Sequence, residues 1–111
     1  MKFFIASRHA NATPVQFLTD NLVSLGHEVY PRVNGGEPRK IFEHELTGLE
    51  EVDTIILLLP AGKTSHINAG IAYGFGKHLV LIGNPETEES QYFIFNEKYP
   101  SIEAYIQTLR T

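Results

Sequence analysis

The sequence predicts an α/β protein. It reads as a single five-stranded parallel sheet in the order 2-1-3-4-5, inside a flavodoxin- or Rossmann-like three-layer sandwich. Three observations lead there. Apolar runs and helical periodicities alternate along the chain. The run TIILLL at 54–59 has no polar interruption, the mark of a strand covered on both faces. The intervening segments are long enough for the helical crossovers that parallel strands require.

The elements follow in order. Residues 2–7 form a short apolar strand. Over 14–25, Val15, Leu18, Leu22 and Leu25 recur at helical spacing, with Thr13 as N-cap, Pro14 at the first helical position and Gly26 closing the helix. Residues 27–30 are a second strand, and 31–38 a loop holding Gly35 and Gly36. A helix over 39–51 shows Ile41, Phe42, Leu46 and Leu49 on one face, with Gly48 a weak point in it. The third strand, 54–59, leads into a glycine-rich helix over 65–76 that Gly76 ends. Gly70 and Gly74 lie four apart on one face, and at Gly74 this predicts close packing on the sheet or on a partner helix. Residues 78–83 are a fourth strand, 84–91 an acidic loop and 92–95 a short edge strand. The last helix, 101–110, turns Ile102, Tyr105, Ile106 and Leu109 inward.

A chain of 111 residues is expected to form one domain, 1–111, with a core large enough to need no staples. It has no cysteine, which excludes a disulfide framework and a thiolate metal site. The net charge of −4 without a basic run argues against nucleic acid as a partner, while leaving a single nucleotide open. The opening MKFFIASRHA is too short an apolar burst for a signal peptide or a membrane span, so a cytoplasmic protein with no membrane partner is expected.

In a 2-1-3-4-5 sheet, ligands sit at the switch point, outside the carboxyl ends of the first and third strands. Two loops meet there, 7–11 and 60–66. The first offers Ser7, Arg8, His9 and Asn11; the second offers Gly62, Lys63, Thr64, Ser65 and His66 together with a helix start. On an acidic chain these make a neutral-to-positive pocket suited to phosphate or carboxylate. The plainer reading has Ser7 and Asn11 making turn bonds while Arg8 and Lys63 are solvated. Gly62-Lys63-Thr64 resembles the end of a Walker A loop, but that loop needs a glycine where Leu57 stands, and Pro60 breaks the pattern. His44-Glu45 is followed by Gly48 rather than by the second histidine of a zinc peptidase. His9 and His66 lack a third ligand, so neither a metal nor any other cofactor is expected. Ser65 and His66 point about 100° apart on a helix and make no catalytic pair. No acidic cluster follows the first strand to hold magnesium, which weakens a response-regulator reading.

Several segments together carry a family resemblance. The opening strand is of the type MKIYLAGP. EEVDTIILLLP supplies an acidic residue before the third strand. SHINAGIAYGFGKHLVLIG matches a loop-helix-strand mark in Ala69-Gly70-Ile71-Ala72 and Gly76-Lys77, and YPSIEAYIQTL matches a last helix. Over nearly its full length the chain resembles the nucleoside 2-deoxyribosyltransferase-like family, which includes deoxyribosyltransferases and deoxynucleotide N-hydrolases. The resemblance implies a nucleoside or nucleotide as small-molecule partner, with Thr64-Ser65 in the sugar- or phosphate-binding part. It also implies a homodimer or higher homo-oligomer with sites near the interface, compatible with exposed Tyr73 and Phe75, although burial in the core of the monomer explains Phe75 equally well.

One departure stands out. The family's catalytic glutamate, which attacks the anomeric carbon, falls on Asn68, and a neutral amide is a poor nucleophile. Two readings follow. In one, the chain binds a nucleoside or nucleotide on an inactive scaffold, with Asn68 bonding a ribose hydroxyl. In the other, it is an active N-glycosidase or deoxyribosyltransferase using another carboxylate. Asp53 is one candidate, matching a base-handling acid of the family, although a strand-start turn residue fits it equally. Glu86, Glu88 and Glu89 are the others, reaching in across a dimer.

Overall fold

The computed structural model describes residues 1–33, 35–85 and 89–110. Its sheet has five strands: β1 (Lys2–Ala6), β2 (Glu28–Val29), β3 (Thr54–Leu58), β4 (His78–Ile82) and β5 (Glu97–Tyr99). Their order is β2-β1-β3-β4-β5, and every pairing is parallel. β3 lies at the centre, with Ile56 opposite Ile5 on one side and Val80 on the other. All five of its residues are buried, as an uninterrupted apolar run demands.

Alternation along the strands divides the core. Phe3, Ile5, Ile56, Leu58, Val80 and Ile82 face α1 (Ala12–Ser24) and α4 (Ile102–Leu109), where Val15, Leu18, Leu22, Tyr105 and Ile106 complete the packing. Phe4, Ala6, Ile55, Leu57, Leu79 and Leu81 face the other way, against Leu49 of α2 (Pro38–Glu51) and Ala69 and Ala72 of α3 (Lys63–Gly74). Among the described residues no helix is long and apolar enough to cross a membrane.

Several boundaries differ from the expectation. A short 3₁₀ turn, His9–Asn11, runs straight into α1, so the helix starts at Ala12, with Asn11 rather than Thr13 at its N-cap. Pro14 is accommodated because amides in the first turn have no intrahelical partner to lose. α3 likewise starts at Lys63, with Gly62 as its N-cap. It ends where Gly76, at φ +75°, takes the left-handed conformation and lets the Lys77 amide reach back to the Ala72 carbonyl.

The expected edge strand at 92–95 is instead a 3₁₀ helix, Ser90–Ile94. Phe95 buries its ring in the α2–α3 side of the core, and Tyr92 and Ile94 pack against the same cluster. An alternating strand would have sent Phe95 to the opposite face from Tyr92 and Ile94, whereas here all three pack on one side. The edge position goes to Glu97–Tyr99, docked by Asn96, whose amide donates to the Leu79 carbonyl while its Oδ1 accepts from the Leu79 amide.

Close packing of Gly74 on the chain's own sheet is also corrected: a methyl group added at Gly70 or Gly74 would meet nothing within 4 Å. The close approach is at Gly48, where such a carbon would sit 2.4 Å from the Tyr30 ring.

Candidate functional site

A cleft of about 520 Å³ opens at the carboxyl ends of β1 and β3. It is walled by the loop after β1, the loop after β2, one face of α2 and the first turns of α3. Ser7, Arg8, His9, Gly62, Lys63, Thr64, Ser65 and Asn68 all line it, so the two loops singled out in the sequence share one site.

A buried hydrogen-bond network joins those loops. The Ser7 hydroxyl donates to the Leu58 carbonyl at 2.8 Å. The Asn11 amide donates to Ser7 Oγ at 2.9 Å and to the Pro60 carbonyl at 2.7 Å. With 7% and 8% of their surfaces exposed, Ser7 and Asn11 fasten the β1 loop to the β3 loop. The Ser7 hydroxyl is therefore already engaged within the protein.

Ser65 is different. It is 8% exposed, lines the cleft, and its hydroxyl meets no partner among the described residues. Beside it, the first amides of α3 receive no side-chain cap. Arg8, His9, Lys63 and Thr64 are exposed around this end of the cleft. The result is an anion-attracting rim of helix amides, cations and hydroxyls.

The opposite wall is apolar and comes from residues that the sequence reading left out. Ile41 and Phe42 of α2, Val33, Phe4 and Tyr30 line it, and Phe42 is 46% exposed. Tyr30 is held by stacking on Phe4, with ring centroids 5.9 Å apart, and by donating its hydroxyl to the His44 carbonyl at 2.9 Å. Burial, reinforced by the Glu51 charge, raises the Tyr30 phenol above its ordinary pKa, so it stays a neutral donor.

Two charged residues of the cleft were also missed. Arg32 donates to the Ser7 carbonyl at 3.1 Å; burial pulls its guanidinium below the ordinary arginine value, and the Glu45 charge acts in the opposite direction. Glu45 accepts a hydrogen bond from the Asn68 amide at 2.5 Å, which ties α2 to α3 across the cleft. It is the sole carboxylate among the described lining residues. A signal for it existed: Glu45 interrupts the helical stripe Ile41-Glu45-Leu49, a carboxylate where the periodicity asks for an apolar side chain.

The remaining candidates lie elsewhere. Asp53 precedes β3 at its amino end, where its carboxylate accepts the Lys2 backbone amide at 2.9 Å. A strand of that length carries it roughly 16 Å from the cleft end of β3. Its placement is thus that of a strand-start residue, and the cleft does not include it. Glu89 lines a separate cavity at the carboxyl ends of β4 and β5, and Glu86 and Glu88 lie outside the described residues. His66 turns away from the cleft: its Nδ1–H donates to the Gly62 carbonyl at 2.8 Å and its Nε2 accepts from the Tyr92 hydroxyl at 3.0 Å. No three His, Asp or Glu side chains come together to hold a metal among the described residues.

The backbone was compared with solved structures. A CMP N-glycosidase from Clostridium botulinum superposes with a TM-score of 0.78 at 21% identity, covering 99% of this chain and 98% of that one. A conserved protein from Enterococcus faecalis gives 0.78 at 12% identity, over 99% and 97%. A 2-deoxyribosyltransferase from Bacillus psychrosaccharolyticus gives 0.75 at 17% identity, over 98% and 96%. This chain has their fold. No family model and no curated protein matches the sequence itself. The fold is therefore shared end to end with a CMP N-glycosidase and a 2-deoxyribosyltransferase, at identities that leave the side chains of each site to be read separately.

Proposed function

We propose that the chain is a member of the nucleoside 2-deoxyribosyltransferase-like family and that its switch-point cleft binds a nucleoside or nucleoside 5′-monophosphate. The observation that carries this reading is the polarity of the one cleft. An apolar wall of Phe4, Tyr30, Ile41 and Phe42 faces a rim made of Arg8, Lys63, Ser65 and the uncapped start of α3. A flat base with polar edges suits the first, and a sugar carrying an anionic group suits the second. The fold shared with a CMP N-glycosidase and a deoxyribosyltransferase supports the same ligand class. No cofactor or metal enters the reading, and it belongs with a cytoplasmic location, where free nucleotides are available.

The reading includes a homodimer. The outward side of α3 leaves Ile67 60% and Tyr73 58% exposed, with Phe75 44% exposed just beyond it and open space at Gly70 and Gly74. Light scattering tests this directly: the expected mass is twice that of the 12.5 kDa chain.

The binding test is a thermal-shift screen of nucleosides and their 5′-monophosphates against the wild type, Arg8→Ala and Phe42→Ala. A ligand at 100 times its Kd stabilises by about 2.7 kcal/mol, a shift of roughly 10 °C for a domain of this size. Phe42→Ala is expected to weaken every ligand, and Arg8→Ala the phosphorylated ones above all. Absence of any shift across the panel would refute the assignment.

A further inference from the structure

Resting on that nucleotide-binding reading, we propose that Glu45 is the catalytic carboxylate of the cleft and makes the protein a hydrolase of the N-glycosidic bond rather than a transferase. Asn68, which the resemblance aligns with an attacking glutamate, is neutral and cannot form a glycosyl ester. Its amide is not idle, because it donates to Glu45 Oε2 and fixes the carboxylate from across the cleft. Glu45 Oε1 receives no hydrogen bond from the described residues, so one oxygen is held while the other is left for the reaction.

The number of carboxylates decides the route. A covalent pathway through a glycosyl-enzyme ester uses two groups, one as nucleophile and one to assist departure of the leaving group and to activate the second acceptor. Among the described residues that line this cleft there is only Glu45. One carboxylate suffices for direct displacement by water. Glu45 takes a proton from the water as its oxygen bonds to C1′. The C1′–N bond breaks, and its electron pair leaves with the base. Glu45 then returns the proton, directly or through solvent, to the base. Nucleoside and water become free sugar and protonated base, and the carboxylate is regenerated.

The predicted product pattern differs from that of a transferase. A glycosyl ester would pass its sugar to a second base, whereas direct attack delivers it to water alone.

The experiment measures free base by chromatography for the wild type, Glu45→Gln and Glu45→Asp, each incubated with the nucleoside and 5′-monophosphate panel, with and without a second free base. Ligand-induced melting shifts are recorded on the same samples. Expected are base release by the wild type, no base exchange, a loss of about 100-fold or more in Glu45→Gln, and partial activity in Glu45→Asp. Melting shifts should persist in all three. Three results would overturn the proposal: full activity in Glu45→Gln, base exchange as fast as hydrolysis, or a wild type that binds without releasing base. The last would leave the binding assignment standing. A wild type that neither binds nor turns over any member of the panel would remove both.

Discussion

Replacing glycine by alanine inside a helix ordinarily stabilises, by about 1 kcal/mol. At Gly48 the opposite is expected. A carbon built there would lie 2.4 Å from Tyr30 Cε2, 2.5 Å from Cδ2 and 2.8 Å from Cζ, well inside contact distance. The Tyr30 ring has little freedom to withdraw. Phe4 stacks on it, the His44 ring lies 4.8 Å from it between centroids, and its hydroxyl is bonded to the His44 carbonyl. Overpacking of this kind costs about 1–3 kcal/mol. Displacing the Tyr30 hydroxyl costs roughly 1 kcal/mol more. After the helix-propensity gain, Gly48→Ala should destabilise by about 1–3 kcal/mol, lowering Tm by roughly 4–12 °C. Gly70→Ala and Gly74→Ala meet nothing within 4 Å and should raise Tm by about 2–4 °C. Thermal melts of the three variants by circular dichroism make the comparison. A rise in Gly48→Ala equal to that of the other two would refute the packing argument, and with it the rigid placement of Tyr30 in the cleft wall.

Three further outcomes are expected. Ser7→Ala strips a buried acceptor and donor from the Leu58–Ser7–Asn11 network and should cost about 1–3 kcal/mol in urea denaturation; a cost near zero would mean that the loops are not fastened there. Hydrogen bonds from Tyr99 and then His78 hold the Glu97 carboxylate below its ordinary value of 4.5. The unfolded chain therefore binds more protons, so this stabilisation is present above about pH 4.5 and fades as pH falls through the folded value; Glu97→Gln should flatten that acid limb in melts from pH 7 to pH 3. Asn68→Glu places a second carboxylate beside Glu45 and should raise the pKa of one of the pair. Its deficit, on the order of 2 kcal/mol at neutral pH, should shrink as the pH is lowered toward 4, and a pH-independent deficit would contradict the contact.

The parts of this molecule legible in its sequence are those set by local chemistry. TIILLL announces a doubly covered strand because both faces need apolar side chains, and Gly76 announces a helix end because the turn needs a positive φ. The two loops at the switch point follow from strand order. Other features depend on what arrives from a distance. EKY carries no strand signal of its own, and becomes β5 because Asn96 docks it on β4 while Tyr92, Ile94 and Phe95 turn away to cover the core. The glycines of α2 and α3 look alike in the sequence, yet one faces Tyr30, just after β2, and the others open space. Arg32 carries no signal of its own, and the break that Glu45 makes in the apolar stripe gains its meaning only when the loop after β2 and the face of α2 close one cleft with Asn68. Asp53 illustrates the converse: next to an apolar strand it looks poised for chemistry, but it stands at the wrong end of that strand.

The central claim is that the cleft between β1, α2 and the start of α3 is a nucleotide site. Titration of ¹⁵N-labelled protein with nucleoside 5′-monophosphates, followed residue by residue in the amide spectrum, tests it most directly. The expected result is saturable shifts gathered at the two sides of the cleft: Arg8, Arg32, the amides of 63–65 and Asn68 on one, Tyr30, Ile41, Phe42 and Glu45 on the other. A spectrum that stays unchanged, or one whose shifts gather at the cavity by β4 and β5 around Asn84, Tyr92 and Lys98, would contradict it.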